Sequence, residues 1–103
     1  MTETEFIELA EQTLQSLQAA VESACSDWDV DRQGNVLTLQ ADDGFQIVIN
    51  KQTPTRQIWL ASLKGGHHYE REGEEWVDTC TRQTLKKALE SLLTERTGRP
   101  VRL

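Results

Sequence analysis

The sequence is poor in cysteine: its 103 residues include only Cys25 and Cys80. The two stand far apart, form no C-x-x-C pair, and have no histidines at zinc-finger spacing, which argues against a structural zinc site. A free cysteine usually behaves as a small apolar side chain. We therefore expect two reduced thiols that are buried or half-buried.

The sequence also lacks a long apolar run and a basic leader. No apolar stretch approaches the ~20 residues that a membrane-spanning helix needs. The N-terminal residues are acidic, without the positive and apolar regions of a signal peptide. Hydrophobic residues make up 37% of the chain and charged residues 27%, a balance typical of a globular protein. We expect a cytoplasmic protein with no membrane partner, folded as one domain over residues 1–103.

Basic residues are scarce in the first part of the chain. Residues 1–43 carry ten carboxylates and a single base, Arg32, whereas the remaining residues carry seven carboxylates and ten bases. The first part therefore has a formal charge of -9 and the second +3, within a net charge of -6. Such an acidic part disfavours nucleic acid as a partner and favours cations or a basic protein surface.

Two segments have the apolar periodicity of amphipathic helices. The first runs from Glu3 to Cys25, and Thr2 and Glu5 are placed to form a capping box at its start. The second runs from about Arg82 to Arg96, with Thr81 as its candidate N-cap. These segments predict one helix near each end of the chain.

Between the helices, short segments alternate apolar and polar residues with the period of β-strands. Turn residues such as Gly34-Asn35 and Asp43-Gly44 separate them. Connections this short leave no room for crossover helices, so the sheet must be an antiparallel meander. The predicted strands are Trp28–Arg32, Val36–Ala41, Phe45–Asn50, Gln57–Leu63, His67–Glu72 and Glu75–Asp78.

This element order predicts an α+β fold. Its form is a two-layer α/β sandwich, in which the N- and C-terminal helices pack on one face of an antiparallel sheet of five or six strands. The face toward the helices supplies the core residues Leu37, Leu39, Phe45, Ile47, Ile49, Ile58, Leu60 and Tyr69. The other face contacts water and carries Gln46, Val48, Asn50, Gln57, Trp59 and His68, with Trp76 as a further candidate.

Trp59 lies out of phase with the apolar residues of its strand. The strand period places it on the open face beside Gln57, with Asn50 on one neighbouring strand and His68 on the other. An aromatic residue within an amide-rich face is the composition of an interface hot spot. The alternative is a tryptophan that stabilises the sheet by cross-strand packing. We predict that Asn50, Gln57, Trp59 and His68 bind a partner.

The sequence has no readable catalytic constellation. Ser62 and Ser91 are not part of a Ser–His–acid pattern. Gly65-Gly66 joins two strands and does not open a helix as a phosphate-binding loop does. His67 and His68 are neighbours in a strand, so they point to opposite faces and cannot chelate one ion together. We predict a protein that is not an enzyme.

The segment Asn50–Ser62, NKQTPTRQIWLAS, resembles the central signature of the frataxin family. Three further segments agree with that family: V-L-T-L at Val36–Leu39, G-G-x-x-Y at Gly65–Tyr69 and G-x-x-W at Gly73–Trp76. The resemblance covers about Phe6 to Leu93. It implies the frataxin-like two-layer sandwich and a role in iron–sulfur cluster assembly, of the kind found in bacterial members.

The resemblance also implies an iron-binding surface. Family members bind ferrous and ferric iron through an acidic ridge on the first helix and first strand. Carboxylate oxygens suit hard cations, and an array without imidazole or thiolate binds weakly and with little selectivity. Iron is therefore expected as a weakly bound ligand. By position, the ridge comprises Glu8, Glu11, Glu22, Asp27, Asp29 and Asp31.

The helix part of this ridge is depleted. Gln18, Ala19 and Ser23 stand where relatives often place acids, so the resemblance makes the three aspartates at 27, 29 and 31 the strongest expected ligands. The alternative to iron binding is that the carboxylates of this helix belong to an ordinary solvated helix face.

The sequence is compatible with two functions. The family docks on the cysteine desulfurase and the iron–sulfur scaffold protein, which implies an iron-responsive regulator of cluster assembly with these two partners. The alternative is an iron chaperone or donor, or a ferroxidase, acting through the ridge itself. We expect a monomer in the absence of iron.

Overall fold

The computed structural model describes residues 1–103 as two helices packed on one face of a six-stranded sheet. Each strand pairs antiparallel with the next one in the chain, which confirms the predicted α+β two-layer fold and its meander. Helix α1 spans Glu3–Ala24 and helix α2 spans Leu85–Thr97. The strands are β1 (Asp29–Gln33), β2 (Val36–Gln40), β3 (Gln46–Gln52), β4 (Gln57–Ser62), β5 (Gly65–Glu72) and β6 (Glu75–Asp78).

Helix α1 begins as its sequence predicts. The Thr2 hydroxyl accepts a hydrogen bond from the Glu5 N–H, and the Glu5 carboxylate accepts one from the Thr2 N–H, which completes the capping box. The apolar stripe along the helix is buried at Phe6, Ala10, Leu14, Leu17 and Val21. Burial of this stripe leaves the acidic side of the helix facing solvent.

Helix α2 begins later than the sequence predicts, and its N-cap is Thr84 rather than Thr81. The Thr84 hydroxyl accepts a hydrogen bond from the Lys87 N–H. Arg82 has a φ of 66°, a left-handed conformation that cannot continue into an α-helix. Residues before Thr84 therefore belong to the turn after β6. Neither helix combines the length and apolar character that a membrane crossing requires.

The helix-facing side of the sheet and the inner sides of both helices form a single core. Val101 of the C-terminal tail is also part of it, and its N–H donates to the Thr94 hydroxyl. Every sheet residue that the strand period assigned to the core is buried: Leu37, Leu39, Phe45, Ile47, Ile49, Ile58, Leu60 and Tyr69.

The opposite side of the sheet, which we call the open face, has no helix over it. As predicted, it contacts solvent: Gln46 and His68 are exposed, and Val48, Asn50, Gln57 and Trp59 are half-buried. The fold therefore leaves a broad face available beside the acidic strand β1.

The assignment of Trp76 to the open face was wrong. Trp76 pairs with Arg71 and lies on the helix side, where only 4% of it is exposed. Its indole N–H donates to the Thr13 hydroxyl at 2.8 Å, and the edge of its ring meets Phe6 with centroids 5.9 Å apart. Trp76 thus joins the last strand to helix α1.

The two thiols differ in exposure. Cys25 is buried, as expected, and burial raises the pKa of its thiol. Cys80 is exposed, contrary to expectation, because it lies in the turn that follows β6. Neither cysteine is part of a disulfide.

Candidate functional site

The predicted ridge residues of the β1 region lie on the surface. Asp27 is exposed in the connection that precedes β1. In β1 itself, Asp29 and Asp31 are exposed and alternate with the half-buried Val30 and Arg32. Because Val30 pairs with the buried Leu39, the two aspartates face away from the helices. Asp29 and Asp31 therefore share the open face with Trp59.

The predicted ridge residues of helix α1 differ in their surroundings. Glu8 and Glu22 are exposed. The carboxylate of Glu11 accepts two hydrogen bonds from the Arg32 guanidinium, at 2.6 and 2.9 Å, and Lys51 Nζ lies 3.8 Å away. The hydrogen bonds from Arg32 hold the pKa of the Glu11 carboxyl below its ordinary value. A cation at Glu11 would have to displace Arg32.

The donor set of the ridge determines how it could bind iron. Nowhere in the chain do three or more His, Cys, Asp or Glu side chains converge into a group that could enclose a metal ion. Separated carboxylates can hold a hard cation through one or two oxygens while water fills the remaining positions. The ridge thus fits loosely held iron. The assignment of its six carboxylates to iron binding remains a prediction.

The predicted partner residues come together around Trp59. In the sheet register, Trp59 lies between Asn50 on β3 and His68 on β5. The His68 ring stacks on the indole with centroids 4.2 Å apart and an interplanar angle of 13°. The indole N–H donates to the side-chain oxygen of Gln57 at 2.8 Å. The four residues that the sequence grouped are neighbours on the open face.

A fifth residue, Glu70, belongs to this cluster and was missed in the sequence. Gln57 pairs with Glu70 in the register, and its amide nitrogen donates to the Glu70 carboxylate at 2.9 Å. Glu70 is two positions after His68, so strand alternation alone could have placed it on the same face. We call Asn50, Gln57, Trp59, His68 and Glu70 the Trp59 cluster.

The strand residues of the open face carry charge of one sign, and one of their carboxylates, Glu72, is paired with Arg82 of the turn after β6 at 2.6 Å. The register places the side chains of five acidic strand residues on it and those of no lysine or arginine of the strands. An electronegative surface of this kind attracts basic partners and cations. The five residues are Asp29, Asp31, Glu70, Glu72 and Glu75.

His67 and His68 point to opposite sides of the sheet, as their adjacency predicts. His67 lies on the helix side, and its Nδ1 is 2.7 Å from the Asp78 carboxylate. His68 lies on the open face against Trp59. The two imidazoles cannot bind one ion together.

Comparisons with known proteins agree with this fold. A family model described as a frataxin-like domain matches residues 1–99. The iron–sulfur cluster assembly protein CyaY of Vibrio cholerae is 45% identical over 86 residues, which cover 84% of this chain and 81% of that protein. The CyaY of Bordetella parapertussis is 41% identical and covers 98% of this chain and 96% of its own length.

A solved structure gives the same result. A frataxin of the CyaY family from Psychromonas ingrahamii superposes with a TM-score of 0.92 at 32% identity, covering 99% of this chain and 97% of that one. Similarity of this extent in sequence and in backbone shows a shared family as well as a shared fold.

Proposed function

The chain belongs to the frataxin-like family, and we propose that it acts in iron–sulfur cluster assembly as an iron-responsive regulator. In this role it docks on the cysteine desulfurase and the scaffold protein in the bacterial cytoplasm and changes the rate at which clusters form. It acts by binding and has no catalytic site of its own. The names of its CyaY relatives, which are iron–sulfur cluster assembly proteins, support the role in assembly.

The observation that carries the proposal is the Trp59 cluster on an uncovered sheet face. Trp59 is half-buried by its neighbours, yet both helices pack on the other side of the sheet. Aromatic residues held in polar surroundings are frequent interface hot spots. The carboxylates of the open face add attraction for a basic partner surface.

The acidic ridge is the feature that supports an iron-responsive role. Asp27, Asp29 and Asp31 are exposed carboxylates, and Asp29 and Asp31 lie on the open face itself. Iron held there reduces the negative charge of the open face and so changes its attraction for a basic partner. A weak site suits this role because its occupancy follows the iron concentration.

An iron chaperone or donor is the second candidate. The exposure of the aspartates in the β1 region favours it, because a cargo ion must be released as readily as it is taken up. A ferroxidase is less well supported, since no three donor side chains converge to hold the reacting iron. Its signature is ferrous oxidation with no partner present.

A co-purification experiment tests the proposed docking. Immobilised protein is incubated with desulfurase and scaffold, with and without ferrous iron. We expect both partners to be retained by the wild type and lost by the Trp59→Ala variant. Leu63→Ala is the matched control, because Leu63 is an apolar residue of the β4–β5 turn, 89% exposed and outside the Trp59 cluster. Equal retention by the wild type and Trp59→Ala contradicts docking through this face.

A further inference from the structure

Trp59 is held in place by a chain of side-chain contacts before any partner binds. Its indole N–H donates to Gln57, and the amide of Gln57 donates in turn to the Glu70 carboxylate. On another side, the His68 ring lies nearly parallel to the indole. The Gln57 amide is thus fixed at both of its polar ends, so its oxygen is oriented toward the indole.

These contacts determine what Trp59 can offer to a partner. An indole has a single hydrogen-bond donor and no acceptor, and that donor is already used by Gln57. A partner acceptor could reach the N–H only by breaking the bond to Gln57. What remains available is the ring surface that His68 leaves uncovered.

We propose that a partner recognises Trp59 by contact with its ring and not by its N–H, and that Glu70 is a positioning residue that holds the ring ready through Gln57. This inference rests on the proposed function and specifies its contact chemistry. Holding a large side chain in its bound orientation removes an ordering cost of association. Glu70 therefore acts on affinity through the orientation of Trp59, in addition to the charge that it shares with the other carboxylates of the face.

The charge of the surroundings specifies the kind of partner. The strand residues of the open face supply five carboxylates and no basic side chain, and only one of the five, Glu72, is already paired, with Arg82 of the following turn. A basic protein segment lying on this face meets complementary charge, and an arginine or lysine side chain can pack on the electron-rich face of an indole. The partner segment we infer is therefore basic and contacts the ring of Trp59.

The positioning part of this proposal is tested on the free protein. In Glu70→Ala, we expect the Trp59 indole N–H to exchange faster with water and its NMR order parameter to fall from that of a rigid group toward that of a flexible one. Glu70→Gln, whose amide oxygen can still accept from Gln57, should restore both values. Glu75→Ala is the control, because it removes the same charge from the same face and leaves the cluster intact. An unchanged Trp59 signal in Glu70→Ala overturns the positioning role.

Binding to the desulfurase and scaffold tests the contact chemistry. Glu70→Ala should raise the dissociation constant by roughly three- to tenfold, the range for one side chain that must be ordered on binding, and Glu75→Ala should raise it less. Trp59→Phe, which keeps an aromatic ring without the N–H, should bind better than Trp59→Leu. Equal losses for the Phe and Leu variants overturn ring recognition.

The two proposals fail in different ways. If the wild type binds neither partner, the proposed docking is wrong and the contact chemistry fails with it, whereas the NMR result still decides whether Glu70 positions Trp59. If the wild type binds and Glu70→Ala behaves as Glu75→Ala does in both measurements, docking stands and the positioning role is wrong.

Discussion

His67 donates a hydrogen bond to Asp78, the one polar residue of the chain that is fully buried. The distance from His67 Nδ1 to Asp78 Oδ2 is 2.7 Å, and only 2% of Asp78 is exposed. An ionised carboxylate only accepts hydrogen bonds, so the imidazole nitrogen must carry the proton. The other Asp78 oxygen accepts from the N–H groups of Cys80 and Thr81. Asp78 therefore fixes the turn that leads from β6 to α2.

Loss of Asp78 should destabilise the fold. Asp78→Ala leaves three hydrogen-bond donors without an acceptor, and we expect the free energy of unfolding to fall by about 2–4 kcal/mol. Asp78→Asn should cost less, because its amide oxygen can still accept from the backbone. Urea unfolding at neutral pH measures both. A fall for Asp78→Ala no larger than for Asp78→Asn contradicts this account of the turn.

Acid should weaken the same turn. Burial tends to raise the pKa of Asp78, but hydrogen bonds from Cys80, Thr81 and His67 outweigh it and leave the pKa below its ordinary value. A lowered carboxyl pKa gives stability that is complete above the unfolded-state value of about 3.9 and disappears as the pH falls through the folded-state value. The stability advantage of the wild type over Asp78→Asn should therefore shrink below about pH 4. An advantage that is constant down to the acid transition contradicts the ionised state assigned to Asp78.

Trp59 and Trp76 should respond oppositely to truncation. Trp59→Ala should weaken scaffold binding by roughly 2 kcal/mol or more and change the unfolding midpoint little, because Trp59 is outside the core. Trp76→Ala should lower the free energy of unfolding by about 3–5 kcal/mol, because it empties a core site against Phe6. Affinity and thermal unfolding are measured on both variants. A large stability loss for Trp59→Ala with normal affinity at low temperature would mean that Trp59 is a structural residue.

The three exposed aspartates at 27, 29 and 31 should account for most ferrous binding. Replacement of all three by asparagine keeps the side-chain shape and removes the charge that attracts iron, so titration should show a clear loss of affinity. A variant with Glu74, Glu75 and Glu95 changed to Gln removes the same charge elsewhere. Unchanged affinity in the Asp27/Asp29/Asp31→Asn variant, or an equal loss in its control, contradicts the ridge assignment.

Docking should depend on salt and on the charge of the ridge. Attraction between exposed charges more than ~8 Å apart is largely screened at physiological ionic strength, so association should slow as salt is added. Reversal of Glu22 and Asp29 to Lys should weaken binding mainly through the association rate, and reversal of Glu74 and Glu95 to Lys should do so less. Stopped-flow association over a salt series measures this. An affinity that does not change with salt contradicts electrostatic docking.

The strand period predicted most of the sheet correctly. In a long strand that is buried on one side, only one assignment of alternate residues to the core places the apolar side chains inside. The burial of Ile47, Ile49, Ile58 and Leu60 illustrates this. In β6 the sequence Glu-Trp-Val-Asp has too few residues to show alternation, and only its register with β5 places Trp76 under helix α1. In short edge strands, a single sequence is therefore least informative about which side of the sheet each side chain faces.

The start of α2 and the positioning of Trp59 depend on contacts between distant residues. Thr81 and Thr84 are both good caps by residue type. The left-handed φ of Arg82 and the hydrogen bond from the Thr81 N–H to the buried Asp78 carboxylate keep Thr81 in the turn, so Thr84 is the cap. In the same way, strand alternation could place Glu70 beside Gln57, but their hydrogen bond depends on side-chain orientation that a sequence pattern does not contain.

Regulation of cluster assembly is read most directly from the turnover of the cysteine desulfurase and the rate of cluster formation, measured with scaffold present and this protein added at stoichiometric ratios. We expect the wild type to change these rates and ferrous iron to alter the size of the change. Trp59→Ala should abolish the change while its fold persists. Rates that are the same with and without the protein at every iron concentration would contradict the account, most clearly if the protein alone oxidised ferrous iron.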